Sequence, residues 1–379
     1  MRIGLNATCF DTTPSGANAR FQTLFPRIVA RMPEVEFLLY QPANHDIAGR
    51  FRDAPNLRVV PTPLHAGTRL RKALRGRLWW PRRLRADRLD IFECFNLPAV
   101  ANPTGATLLT LHDIRRAHLP RWTPERLAYD AAVRAALRRV DHVITVSAAM
   151  RDEIAATYAP RSIGVIHNCI DAGRFNDAAR AAWPAVRQRM RLPERFLLAV
   201  GHLEPRKNHL RLLEAVAKLK QSGAPVFLLI AGRDSGQKAA LLARIAALGI
   251  AEWVRIDTDI GDDDLSCLYM NAAAVVFPSL YEGFGLPVIE AMAAGAPLAL
   301  SDIPAFREIS PAGGLFFDPA SPDAIAHALD TILREPRLAA QIAAYGRRRA
   351  ADFSADALAA TYADLYRQFL PAGNVPEKA

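Results

Sequence analysis

The sequence predicts an α/β protein built on two doubly wound parallel sheets. Short β-branched or leucine-rich runs alternate with longer helical patterns along nearly the whole chain, as strands and crossover helices alternate in a parallel sheet. The rhythm stops across a polar, proline-containing stretch, 171–193, and restarts at 196, which divides the strands into two sets. The length of 379 residues fits roughly two domains and allows a core that needs no staples.

In order, the first half places strands at 2–5, 35–40, 57–60, 90–94, 107–111, 142–146 and 162–166. Runs such as VEFLLY and HVITV are apolar almost throughout, as strands covered by helices on both faces must be. The second half continues at 196–200, 226–231, 253–256, 274–277, 297–300 and 315–317. The stretch 171–193 has no convincing strand and is read as a linker between Rossmann-like domains at 1–180 and 181–355. From 321 to 370 the pattern is almost entirely helical, with Ser321-Pro322 and Ser354 as helix starts. The last helix, 356–369, carries apolar residues at helical spacing on length the second sheet does not need. It is expected to cross back to the first domain, ahead of a tail, 371–379, expected to fray. Two such domains facing each other would form a cleft at the carboxyl ends of their strands, where ligands bind.

Charge is the unusual part of the composition. There are 48 basic and 38 acidic residues, a net charge of +10, against an ordinary 8% aromatic and 51% hydrophobic content that excludes wholesale disorder. Between Arg69 and Arg88 nine basic residues face the single acid Asp87, a local +8 that leaves only about +2 elsewhere. A uniformly basic nucleic-acid binder does not look like this, and no zinc spacing or aromatic interleaving supports one. The four cysteines, Cys9, Cys94, Cys169 and Cys267, show no metal spacing and suit a reduced, cytoplasmic compartment. No secretory h-region and no window of eighteen apolar residues is present, so neither export nor a membrane span is expected.

The most informative segment runs from Ser279 to Ala291. It follows a buried strand, places Gly283 and Gly285 in a turn, and starts a helix with Pro287 in the first turn, where proline costs no hydrogen bond. The backbone N–H groups of Gly283, Phe284, Gly285 and Leu286 can then face an anion or a sugar hydroxyl. Glu282 in the loop and Glu290 one turn into the helix offer carboxylates suited to vicinal hydroxyls. The plain alternative is a tight turn with a glutamate that complements the helix dipole.

A second segment, Gly201-His202-Leu203-Glu204-Pro205-Arg206-Lys207-Asn208-His209, directly follows the strand 196–200 and opens a helix reaching to about 220. Two cations at a helix amino terminus oppose the dipole, a local violation expected where a ligand supplies negative charge. A diphosphate would do so, with Arg206 as a planar fork and Lys207 as a point charge. Against this, both could be solvated, with Glu204 neutralising one. His112 and Asp113 end the strand 107–111, either as a hydrogen-bonding group for a ligand or as an ordinary turn. The loop Thr12-Thr13-Pro14-Ser15-Gly16-Ala17-Asn18 is a weaker candidate, in which Gly16 brings backbone close to a ligand. Asp262-Asp263-Asp264 suggests a divalent metal, but a helix start accounts for it better.

Taken together, these residues resemble the retaining GT-B glycosyltransferases of family 4, over most of the chain and most strongly from 196 to 319. Glu282 and Glu290, seven residues intervening, match that family's paired-glutamate motif, and Arg206-Lys207 its diphosphate-binding pair. Similar strings are Val143-Ile-Thr-Val-Ser147, Asn168-Cys-Ile-Asp171 and the run from Ser301 to Glu308. Two departures stand out: Ser15-Gly16 where many members carry two glycines, and Cys169 where a glycine is usual. The resemblance implies two facing domains, a nucleotide-sugar donor and no metal or other cofactor. It also implies that Glu290 holds the ribose, that Glu282 with Gly283 to Gly285 holds the donor sugar, and that His112 contacts donor hydroxyls. The leading expectation is mannose from GDP-mannose, passed to a polyprenyl-diphosphate-linked or oligosaccharide acceptor in lipopolysaccharide assembly. A UDP-hexose donor is the alternative, and a glycoside hydrolase using Glu282 and Glu290 a more distant one.

The basic segment 69–88 also contains Leu70, Leu74, Leu78, Trp79 and Trp80. Apolar and indole groups beside a dense cationic face suit an anionic membrane surface, so the expected location is the inner face of the cytoplasmic membrane. The competing reading is a solvated helix with its tryptophans in the core.

Overall fold

The computed structural model describes residues 1–11, 15–51, 54–66, 69–120 and 122–370. Thr12, Thr13, Pro14, the side chains of Arg69, Leu70, Arg71 and Lys72, and the tail 371–379 lie outside what is described. The chain packs as two units: Met1–Cys169 with Ala355–Ala379, and Ile170–Ser354.

The first unit is a seven-stranded sheet of β1 (Arg2–Asn6), β2 (Glu36–Gln41), β3 (Leu57–Pro61), β4 (Ile91–Cys94), β5 (Ala106–Leu111), β6 (His142–Thr145) and β7 (Ile163–Val165). All pairs are parallel, in the order β3-β2-β1-β4-β5-β6-β7. The helix Gly16–Arg31 starts at Ser15, whose hydroxyl accepts the Asn18 N–H at 3.2 Å. Phe21, Leu24, Phe25, Ile28 and Val29 recur at three- and four-residue spacing and form its buried stripe.

The last helix, Ala355–Phe369, packs on that stripe through Leu358, Ala359, Tyr362, Ala363 and Tyr366, so it does return to the first sheet. Its contact is partly polar. The Tyr362 and Tyr366 hydroxyls both donate to the fully buried Glu93 of β4, the second at 2.5 Å, and Thr110 of β5 donates to the same carboxylate at 2.6 Å. Burial pushes the Glu93 carboxyl up, while the three hydroxyls and the charge of Arg20 oppose that shift.

The helix Arg69–Asp87 runs through Pro81 and turns its indoles inward. Trp80 is buried, 5.2 Å from both the Tyr40 and Phe92 rings, and half-buried Trp79 meets Tyr40 edge-on at 6.2 Å. The expectation of tryptophans at a membrane surface is therefore corrected: an aromatic wall inside the unit takes them, burying more apolar area than a surface would. Leu74 and Leu78 remain 61% and 72% exposed among the exposed Arg75, Arg77, Arg82 and Arg85.

The second unit is a six-stranded sheet of β8 (Phe196–Val200), β9 (Phe227–Ala231), β10 (Val254–Asp257), β11 (Ala274–Phe277), β12 (Leu298–Ser301) and β13 (Leu315–Phe317). It is also wholly parallel, in the order β10-β9-β8-β11-β12-β13. The stretch 171–193 is folded as part of this unit. Asp171 caps a 3₁₀ turn, Ala172–Arg174, and short helices follow at Asp177–Ala181 and Trp183–Arg189, with Trp183 stacked 5.3 Å from Phe196. The unit boundary thus falls after Cys169, ahead of the expected 180. Cys169 itself is buried in the first unit's core. The acidic triplet starts the helix Asp262–Asn271, where Asp264 pairs with Arg189 at 2.5 Å.

Candidate functional site

Strand order in the second unit reverses between β8 and β11, and the two informative segments are the loops that leave these strands. Such a reversal opens a crevice at the strand ends. The loops are stitched together there. The Leu280 N–H donates to the Arg206 carbonyl at 2.8 Å, and the Asn208 amide donates to the carbonyls of Pro278 and Pro319 at 2.9 and 2.8 Å.

Asn208 adopts a left-handed conformation, φ 59°, which asparagine tolerates better than most residues. It separates a single 3₁₀ turn, Pro205–Lys207, from the helix His209–Gln221. Arg206 and Lys207 therefore lie ahead of the helix and not in its first turn, which corrects the dipole argument drawn from the sequence. Their placement is set by the turn and by Gly201 at the end of β8. A Cβ on Gly201, φ 153°, would meet the Lys207 side chain at 3.1–3.3 Å, so glycine lets the lysine lie across the strand end.

These cations converge on Glu282. Lys207 Nζ reaches Oε1 at 2.6 Å, Arg206 Nη1 reaches Oε2 at 2.6 Å, and the Ser279 hydroxyl donates to Oε1 at 2.7 Å. Arg206 also pairs with Glu204 at 2.6 Å and donates to the Tyr281 carbonyl at 3.2 Å. Burial works against the Glu282 charge, but Lys207, then Arg206, then the hydrogen bonds from Lys207 and Ser279 outweigh it and hold the carboxyl down at about 2. Glu282 is ionised at every physiological pH. The four charges of Glu204, Arg206, Lys207 and Glu282 balance.

Gly285, φ 122°, caps the helix Leu286–Ala294, and a Cβ there would press on Phe306 at 2.8 Å. Phe284 is buried, its ring 5.8 Å from Phe353, which anchors the turn from Gly283 to Leu286. One turn on, Glu290 is mostly buried. Tyr269 donates to its Oε2 at 3.1 Å, and Arg174 pairs with Oε1 at 3.4 Å. Here burial prevails and pushes the carboxyl up; Arg174 and the Tyr269 hydroxyl oppose it, and Asp262 adds to it.

His112 and Gly16 belong to the first unit. His112 follows β5, half-buried, and is pushed down to about 3 by burial and then by Arg20, so its ring is a neutral hydrogen-bonding group. Gly16 is the exposed first residue of its helix, with Ser15 as the cap. Arg206, Lys207 and Glu282 are thus brought into contact, and Glu290 shares the helix that their loop starts. Sequence reasoning missed Ser279, Arg174 and Tyr269 as partners, since each lies on a different loop or helix from the carboxylate it meets or carries no spacing signal.

Two family models cover most of the chain: residues 14–174 match glycosyltransferase family 4, and residues 186–349 match glycosyl transferases group 1. The chain is 30% identical over 317 residues to a glycogen synthase of Mycobacterium tuberculosis, covering 80% of this chain and 72% of that one. It is 31% identical over 227 residues to an O-antigen chain mannosyltransferase of Salmonella typhimurium, covering 59% of this chain. It spans under two thirds of the length of the O-antigen mannosyltransferases it matches, 58% in that case. Among solved structures, an Anabaena protein in complex with UDP and glucose superposes with a TM-score of 0.72 at 19% identity, over 97% of this chain and 99% of that one.

Proposed function

This chain belongs to the group 1, family 4 glycosyltransferases, and from that premise we propose that it transfers a hexose from a nucleotide sugar to a lipid-linked or oligosaccharide acceptor with retention of anomeric configuration. The observation that carries the reading is the contact of Arg206 and Lys207 with Glu282 at the β8/β11 strand ends. A guanidinium and an ammonium held there, by a carboxylate that stays ionised down to about pH 2, form a preorganised site for a diphosphate leaving group. Lys207 Nζ carries three donors, of which one is committed to Glu282.

The chemistry then needs no protein nucleophile and no metal. As the glycosidic bond to the diphosphate breaks, Arg206 and Lys207 stabilise the charge that develops on it. The departing phosphate oxygen takes the proton of the acceptor hydroxyl, which bonds to the anomeric carbon on the same face. Glu290 accepts the ribose hydroxyls, Glu282 and the Gly283–Gly285 backbone contact the sugar, and neutral His112 hydrogen-bonds donor hydroxyls. The O-antigen relatives favour GDP-mannose and a lipopolysaccharide-type acceptor, while the UDP-bound Anabaena structure keeps a UDP-hexose as the second donor. A thermal-shift and calorimetric comparison of GDP, UDP and ADP identifies the base. Replacing Arg206 and Lys207 singly by alanine is expected to lower turnover about 10²–10³-fold; near-wild-type turnover in folded variants would refute the reading.

The opposed shifts of Glu282 and Glu290 are also what a hydrolase acid and nucleophile require. Incubating an oligosaccharide without nucleotide sugar separates the two: cleavage supports the hydrolase, inertness the transferase. Among the described residues no helix is long and apolar enough to cross a membrane. The exposed Leu74 and Leu78 within an arginine-rich face support peripheral docking of the helix Arg69–Asp87 on the anionic cytoplasmic leaflet, where a lipid-linked acceptor is presented. Equal flotation with neutral and anionic vesicles would sink that docking.

A further inference from the structure

Glu290 is gripped at both oxygens by groups that the paired-glutamate motif does not include. Arg174, at the end of the 3₁₀ turn Ala172–Arg174, approaches Oε1, and Tyr269, from the helix Asp262–Asn271, donates to Oε2. An ionised carboxylate has about four lone-pair sites. Tyr269 takes one on Oε2 and the Arg174 ion pair lies against Oε1 at 3.4 Å, so at least one remains on each oxygen, which is the pattern a vicinal diol requires.

The guanidinium of Arg174 is itself held by packing. Its central carbon lies 4.8 Å from the centroid of the Phe175 ring, and that ring meets Tyr269 edge-on at 6.1 Å. Arg174, Phe175 and Tyr269 therefore form one block against the Glu290 side of the helix. Nε and Nη2 of Arg174 are closed off from solvent with no hydrogen-bond partner among the described residues. Leaving such donors unsatisfied costs free energy, and an unsatisfied buried group in a native fold asks for an explanation beyond packing. Their cost is explained if the guanidinium is kept for what it does to Glu290.

We propose that Arg174 is a positioning residue of the nucleotide site, fixing the Glu290 carboxylate, together with Tyr269, so that each oxygen presents one lone pair to the 2′- and 3′-hydroxyls of a nucleoside diphosphate. The inference rests on the reading of Glu290 as the ribose acceptor. Its electrostatic half follows from the neighbours of Glu290. Among the described residues Arg174 is the one cation whose charge opposes burial there; Asp262 acts the other way, and Tyr269 contributes a hydrogen bond. Arg347, from the adjacent helix Pro336–Ala350, lies against Gly295 at the far end of the helix. Removing Arg174 should raise the Glu290 carboxyl further, so that binding weakens as pH falls, starting from a higher pH than in the wild type.

The test is calorimetric titration of GDP and UDP, and of their 2′,3′-dideoxy forms, into wild-type, Arg174→Gln and Arg174→Lys protein across roughly pH 5 to 8. The expected result is that Arg174→Gln binds the ribose form ~10-fold more weakly at the acid end, with a smaller loss at the alkaline end. Arg174→Lys should restore most of the pH profile, and the dideoxy probes should bind all three proteins alike. An Arg174→Gln profile that parallels the wild type, or an equal loss for ribose and dideoxy probes, would overturn the positioning role and leave only a structural one. Wild-type protein that binds no nucleoside diphosphate would overturn the donor-site reading itself, and the positioning role with it.

Discussion

Glu282 and Glu290 stand in one motif with seven residues between them and are buried to a similar degree, with 9% and 16% of their side chains exposed. Their environments push them in opposite directions. Glu282 receives an ammonium, a guanidinium and a hydroxyl, all at 2.6–2.7 Å, and stays at about 2. Glu290 receives one looser ion pair at 3.4 Å and one tyrosine hydroxyl, and burial wins. The two carboxylates are therefore not equivalent ligands. The first is an anchor that fixes two cations at a strand end, and the second is an undersatisfied acceptor whose charge becomes favourable when hydroxyl donors arrive. Glu93 of the first unit gives a third case, a buried carboxylate held by three neutral hydroxyls, two of which come from the last helix and tie it down.

The sharpest way to break the comparison is to neutralise each carboxylate in turn. Glu282→Gln leaves Lys207 mostly buried without its counter-charge, while Arg206 keeps Glu204, and unfolding of the second unit should become easier by about 3–5 kcal/mol; denaturant titration measures it, and a loss under 1 kcal/mol would deny the anchor role. Acid titration comes next. Because the Glu282 carboxyl is lowered from 4.5 to about 2, its contribution is fully present above pH 4.5 and is lost as pH falls toward 2, a change of about 3 kcal/mol at 1.4 kcal/mol per unit. Glu290, raised by burial, acts in the other window: its ionisation destabilises, so the fold gains from it as pH falls toward 4.5. Melting curves across acid pH should flatten below 4.5 in Glu282→Gln and keep their full slope there in Glu290→Gln.

Smaller effects sharpen the same contrast. Tyr366→Phe withdraws one of the hydroxyls on buried Glu93 and should cost about 1–3 kcal/mol in the stability of the first unit, read by hydrogen exchange along the strand Ile91–Cys94, with nucleotide binding unchanged. Glu290→Gln should leave stability within about 1 kcal/mol of the wild type, because an amide relieves the buried charge, while weakening nucleoside diphosphate binding ~10-fold. Calorimetry and melting on one preparation check both halves.

Much of this arrangement was legible in the chain before folding. All thirteen strands fall within a residue or so of where apolar runs place them, because parallel strands covered on both faces have no polar side to blur the signal. The loop residues of the site were equally readable, since Gly201, Gly283 and Gly285 mark tight turns at strand ends. Direction was harder. Trp79 and Trp80 share a helix with nine surrounding charges, and composition alone does not say that Tyr40 and Phe92 form a wall behind them. The turn that carries Arg206 and Lys207 was hidden by Asn208, whose left-handed conformation depends on carbonyls of Pro278 and Pro319 far along the chain. Arg174 and Tyr269 meet Glu290 only through the fold, and the tyrosines that bond Glu93 read simply as apolar positions of an amphipathic helix.

Whether Arg206 and Lys207, held by Glu282, bind the diphosphate of a nucleotide donor decides the proposed function. Titrating GDP and UDP into the wild type and into the Arg206→Ala/Lys207→Ala double variant, each checked for an intact fold by circular dichroism, tests it most directly. Saturable binding of at least one of the two nucleotides to the wild type is expected, with an affinity at least ~100-fold weaker in the variant. Equal affinity in a folded double variant would contradict it.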